Sequence, residues 1–114
     1  MNQSEKKYGL KIAEIAAIQN VFKLFSNLQK VVIYGSRAKG NYRPGSDIDL
    51  TLKGKGLDYQ DLVAIESLLD ELLLPYTIDL SIYHLIENSN LIDHIDRVGI
   101  EFYHHKKLND KGLS

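Results

Sequence analysis

The sequence predicts a small mixed α/β domain in which a short sheet is flanked by helices. Short β-branched runs alternate along the chain with segments whose apolar residues recur every three or four positions, so strand and helix periods are both present. At 114 residues and 44% hydrophobic, the chain can bury roughly two thirds of its unfolded surface around one core. Abundant Leu, Ile and Val with moderate charge exclude a disordered chain. Residues 1–114 are therefore expected to form a single domain, with its core over about 10–104 and a polar tail over 106–114.

Ile12, Ile15, Ile18, Phe22 and Phe25 share one helical face and predict a helix over residues 10–28. KVVIYG (30–35) is a β-branched run closed by glycine, a first strand. IDLTL (48–52) is a second, ended by the KGKG turn. Asp58 and Asp61 have the spacing of a capping pair; Leu62, Ile65, Leu69 and Leu72 then trace a helix that Pro75 is expected to stop. TIDLSIY (77–83) reads as a third strand. Asn90 and Asp93 suggest the start of another helix, with Ile92 and Ile95 on its inner face and Gly99 at its end. IEFYH (100–104) alternates as a last strand, giving the order α-β-β-α-β-α-β.

The link between the first two strands has no helix-length apolar pattern, which favours antiparallel neighbours. The second and third strands are joined through a full helix, which favours a parallel pair with a right-handed crossover. In that topology Gly35-Ser36, Asp47 with Asp49, and Asp79 all fall on one rim of the sheet.

Two carboxylates two residues apart on a strand leave the same face. At ~5 Å they repel by about 3 kcal/mol at an effective dielectric near 20. Neutralisation by protons or a cation would relieve this, and an all-carboxylate set without Cys or His suits a hard divalent ion, Mg²⁺ or Mn²⁺. On spacing alone, Asp47 as a turn residue and Asp49 as a solvated strand-edge residue explains D-x-D equally well. The neighbouring residues favour the ion. Gly35 lets a ligand approach the backbone, Ser36 offers an N–H and a hydroxyl, and Arg37, Lys39 and Arg43 add positive charge. A P-loop fails, because Asn41 and Tyr42 stand where Lys and Ser/Thr are needed. Phosphate donors facing acidic metal ligands describe metal-assisted phosphoryl or nucleotidyl transfer.

Other readings carry less. A net charge of −1 gives no sign of direct nucleic-acid binding, and the scattered tyrosines build no stacking platform. The absence of cysteine excludes thiolate chemistry and disulfides. The longest apolar stretches fall short of the ~20 residues that span a bilayer, and the amino end has no signal core, so a soluble, cytoplasmic protein without membrane contact is expected. His84, His94, His104 and His105 have no ligand spacing. A sugar-nucleotide glycosyltransferase, which also uses D-x-D, needs a larger nucleotide domain.

Gly35-Ser36, ten intervening residues, and Asp47-x-Asp49, followed by Asp79 in an apolar strand, resemble the signature of the DNA polymerase β-like nucleotidyltransferase superfamily. The short length points to its minimal nucleotidyltransferase branch, found in prokaryotic two-gene systems. The resemblance implies the polymerase β-like fold and a Mg²⁺-dependent transfer of a nucleoside monophosphate, AMP from ATP most often, to an acceptor hydroxyl. It implies that Gly35 and Ser36, with Arg37 and Arg43 as weaker candidates, hold the triphosphate. Asp47, Asp49 and Asp79 would bind metal, with Asp79 helping to deprotonate the acceptor. It further implies a separate helical partner, either an acceptor-binding subunit or a HEPN-type toxin that is itself adenylylated, which would make this chain an antitoxin. The alternative is a non-catalytic antitoxin that binds nucleotide and sequesters its partner. Arg97 and His104 mimic the HEPN motif by spacing, but Gly99 breaks the helix that motif needs.

Overall fold

The computed structural model describes residues 5–106. Strands β1 (Lys6–Lys7) and β2 (Leu10–Lys11) pair as a small hairpin before helix α1 (Ile12–Phe22). Strand β3 (Lys30–Tyr34) runs directly into the short helix α2 (Gly35–Lys39). There follow β4 (Ile48–Lys53), α3 (Tyr59–Asp70), β5 (Ile78–Ile82), a 3₁₀ turn (Tyr83–Leu85), α4 (Ser89–Val98) and β6 (Ile100–His104). The main sheet has the order β5-β4-β3-β6. As expected, β3 and β4 are antiparallel and β4 and β5 parallel; β6 adds to the other side of β3, antiparallel.

Strand alternation divides the sheet into two unlike faces. Val31, Ile33, Ile48, Leu50, Leu52, Leu80 and Ile82 point to one side, where Ile15, Ile18 and Phe22 of α1 and Ile65 and Leu69 of α3 complete the main core. The other side carries a smaller apolar cluster of Val32, Tyr34 and Ile95, joined by Leu91 and Val98 of α4. This helix covers the β3 side of that face. The next positions along it, on β4 and β5, are Asp49, Thr51, Asp79 and Ser81.

Several boundaries differ from the sequence expectation for local reasons. The first helix starts at Ile12 because Leu10 and Lys11 are taken by the hairpin, and the Lys11 N–H donates to Glu14 Oε1 (2.9 Å). It ends at Phe22, after which Leu24, Phe25 and Leu28 bond back three residues, a tighter turn that keeps Phe25 against the core. The link from β3 to β4 holds the five-residue α2, too short to show a helical period. Asp58 and Asp61 form the expected reciprocal cap of α3, each side chain accepting the other's N–H at 3.0 Å. That helix ends at Asp70, before Pro75, and Leu73 sits exposed at φ 56°. The cap of α4 is Asn88, not Asn90: its Oδ1 accepts from the Asn90 and Leu91 N–H groups (2.9 and 3.2 Å), while Asp93 pairs with Arg97 four residues on. Gly99 closes α4 where a Cβ would collide with Ile95 O and Val32. Among the described residues no helix is long and apolar enough to cross a membrane. Beyond Lys106, the expected polar tail lies outside the described residues.

Candidate active site

Registry builds the site. Asp49 on β4 is paired with Tyr34 on β3 and with Asp79 on β5, so the three stand in one row across the sheet. Asp47 precedes β4 by one residue and lies two before Asp49, exposed at the strand's entry. The next row inward is Val32, Thr51 and Ser81. Ser81 Oγ donates to Thr51 Oγ1 (2.9 Å), and Thr51 is fully buried. This hydroxyl pair joins β4 to β5 directly beneath the two aspartates.

Burial and neighbouring like charge both act on Asp49. Its carboxyl is pushed up to about 6, first by burial and then by Asp79 and Asp47, with Arg37 pulling the other way. Burial likewise raises the Tyr34 phenol; a hydrogen bond to Ser81 opposes this, and Asp49 and Asp79 add to it. A carboxyl held back from ionising by neighbouring carboxylates favours a bound cation, which would relieve that repulsion.

Gly35 follows the last residue of β3 and opens α2 beside this row, with φ 75°. A Cβ at that position would collide with the Asp49 carboxylate. Glycine is therefore required twice, for the left-handed backbone and for the space. Ser36 follows on α2, half-buried, and its carbonyl accepts from Gly40 N–H (2.9 Å) at the helix's end. The structure thus brings Gly35, Ser36, Asp47, Asp49 and Asp79 to one rim.

The two arginines are placed differently. Arg43 lies in the exposed turn before β4, where its N–H donates to Ser46 Oγ (2.9 Å). Arg37 points inward: it is 2% exposed and bonds to the Tyr8 and Ser46 carbonyls. Tyr34 and the Thr51–Ser81 pair were missed by sequence reasoning. A usable signal exists, since Ile48-Asp49-Leu50-Thr51 and Ile78-Asp79-Leu80-Ser81 are near repeats that pair without offset.

The donor set is hard and anionic, which fits Mg²⁺ or Mn²⁺ better than softer ions. Among the described residues, no three His, Cys, Asp or Glu side chains already stand together as a finished ligand set. Three cavities border the rim without containing its aspartates, one of them, of about 320 Å³, lined by Gly45, Ser46, Tyr76 and Thr77. Another of about 330 Å³ is lined by Glu66, Asp70, Tyr76 and Leu80, and one of about 290 Å³ by Tyr59, Leu62, Ile82 and Leu85. None of the three is lined by Asp47, Asp49 or Asp79, though Ser81 borders the last.

No curated protein matches this sequence at a significant level. Solved structures share the fold. One is a toxin-antitoxin with AMP-PNP, 20% identical over 87% of this chain and 78% of that one, TM-score 0.66. Another is a doubly substituted mutant of the toxin-antitoxin MntA-HpeT, 19% identical over 88% and 78%, TM-score 0.63. A third is the tri-AMPylated Shewanella oneidensis HEPN toxin in complex with MNT antitoxin, 18% identical over 88% and 78%, TM-score 0.55. The family model described as polymerase beta, nucleotidyltransferase matches residues 16–108, a span that contains every rim residue. The chain belongs to the polymerase beta nucleotidyltransferase family.

Proposed function

We propose that this chain is a Mg²⁺- or Mn²⁺-dependent nucleotidyltransferase that moves AMP from ATP to a hydroxyl of a separate helical protein, acting as the antitoxin of a HEPN-type toxin. The observation that carries the chemistry is the in-register pairing of Asp49 with Asp79 beside Gly35. Support for the nucleotide and the partner comes from structures of the same fold, one with AMP-PNP and one with a tri-AMPylated HEPN toxin.

Asp47, Asp49 and Asp79 would hold the cation, with the exposed Asp47 side chain rotating to complete the set. Such an ion would offset the charge between the carboxylates and the triphosphate and would act as a Lewis acid on phosphoryl oxygens. Gly35 leaves room for the Asp49 carboxylate at the rim, the Ser36 N–H and hydroxyl donate to the phosphate oxygens, and Arg43 supplies charge from the turn. Asp79 takes the acceptor's proton as its oxygen bonds to the α-phosphorus. The bond from that phosphorus to the bridging oxygen breaks, and pyrophosphate leaves with the electron pair.

Titration calorimetry tests the cation requirement: ATP should bind in Mg²⁺ and not in EDTA. Transfer should carry label from the α-phosphate and not from the γ-phosphate. Equal ATP affinity in both conditions would overturn the cation-bridged site.

A further inference from the structure

We propose that Arg37 is a positioning residue for the carboxylate rim, setting the direction in which Asp47 enters β4, and not a phosphate ligand. The proposal rests on the reading of the rim as a cation and nucleotide site. Arg37 and Thr51 are the buried polar side chains among the described residues. A buried guanidinium is tolerated only where its donors are matched. Nη1 donates to Tyr8 O (2.9 Å), while Nε and Nη2 both donate to Ser46 O (3.2 and 2.9 Å). Its central carbon lies 5.1 Å from the ring centres of both Tyr42 and Tyr76, within cation–π range.

These partners come from three separate stretches of chain: the β1–β2 turn, the α2–β4 loop, and the residues just before β5. The fork closes on one carbonyl in particular. Ser46 C=O belongs to the peptide unit that joins Ser46 to Asp47, so two donors fix the plane from which Asp47 departs. The flanking groups are tied as well, Ser46 N–H to Arg43 O and Ile48 N–H to Thr77 O, both at 2.9 Å. Asp47 itself is exposed, so its direction is set by the backbone beneath it. A lysine cannot reproduce this, because one ammonium lacks the planar fork. All three hydrogen bonds go to main-chain carbonyls and the side chain is buried, so those donors are engaged within the fold and not offered to a triphosphate.

The test compares wild type with Arg37→Lys, which keeps the charge and loses the fork. Three readouts are taken: Mn²⁺ affinity of the nucleotide-free chain by electron paramagnetic resonance, amide exchange at Ser46 and Ile48, and the split of transfer into kcat and KM. Expected are a loss of Mn²⁺ affinity of roughly tenfold or more, as for other residues that orient metal ligands, faster exchange at both amides, and a fall in kcat larger than any rise in nucleotide KM. Unchanged Mn²⁺ affinity and exchange, with only KM raised, would make Arg37 a phosphate contact and overturn the proposal. If Arg37→Lys does not fold, the pair Tyr42→Leu with Tyr76→Leu removes the rings and leaves the guanidinium in place. It should move the first two readouts in the same direction, and unchanged values would equally overturn the proposal. A wild-type chain that binds no Mn²⁺ would sink the reading of the rim, yet amide exchange would still decide whether Arg37 holds the turn.

Discussion

Gly35→Ala probes the closest approach in the site. At φ 75° an alanine adopts the left-handed region, which costs about 1–2 kcal/mol for an L residue. Its Cβ would also overlap the Asp49 carboxylate. That neighbour is the end of a side chain and can turn aside, so the overlap adds only about 1 kcal/mol, the low end for overpacking. The sum, about 2–3 kcal/mol, should lower the melting temperature by roughly 8–12 °C in a domain of this size. A double-mutant cycle with Asp49→Ala separates the two contributions, since removing the carboxylate relieves the overlap and leaves the backbone strain. Thermal unfolding of the four proteins should give a coupling near 1 kcal/mol. Additivity to within about 0.5 kcal/mol would refute the close approach of Gly35 to Asp49.

Asp49, raised to about 6, holds its proton more tightly folded than unfolded. Its favourable contribution is therefore full below the ordinary carboxylate value and is lost as pH rises through about 6. Asp49→Asn should flatten the fall in stability across about pH 4–6, and parallel stability profiles for the two proteins would contradict the assignment. Mn²⁺ binding to the wild type should weaken below about pH 6, where the proton competes for Asp49; titrations at pH 5 and 7 with equal affinity would count against it. Asp79→Asn should slow transfer by about 10²–10⁴-fold with little loss of nucleotide affinity, and comparable losses in both would make it an ordinary metal ligand. Leu50→Ala, at a fully buried position one residue from Asp49, should destabilise by about 2–5 kcal/mol. A loss under about 1 kcal/mol in chemical denaturation would contradict the packing of the main core.

The fold was legible where periodicity was strong. The apolar stripes of α1 and α3, the Asp58–Asp61 cap and the parallel crossover from β4 to β5 all follow from spacing. So does the convergence of Gly35, Asp47, Asp49 and Asp79, because strand direction alone brings those ends to one rim. What spacing could not reveal depends on long-range contact. The β1–β2 hairpin is two residues per strand and has no alternation to read. Arg37 looks like any exposed basic residue near a turn until Tyr8, Tyr42 and Tyr76 close around it. Tyr34 takes its place beside Asp49 only through registry, and α4 is capped by Asn88 because its side-chain geometry, not its spacing, meets the free N–H groups.

Intact-mass spectrometry of the proposed HEPN-type partner bears on catalysis at the rim without any intermediate step. The partner is co-produced either with the wild-type chain or with Asp47→Asn and Asp49→Asn combined. The partner should gain the mass of one or more AMP groups with the wild type and none with the variant, while both chains still bind it. A partner that is neutralised without any change in mass, or one equally modified by both, would contradict catalysis at the aspartate rim.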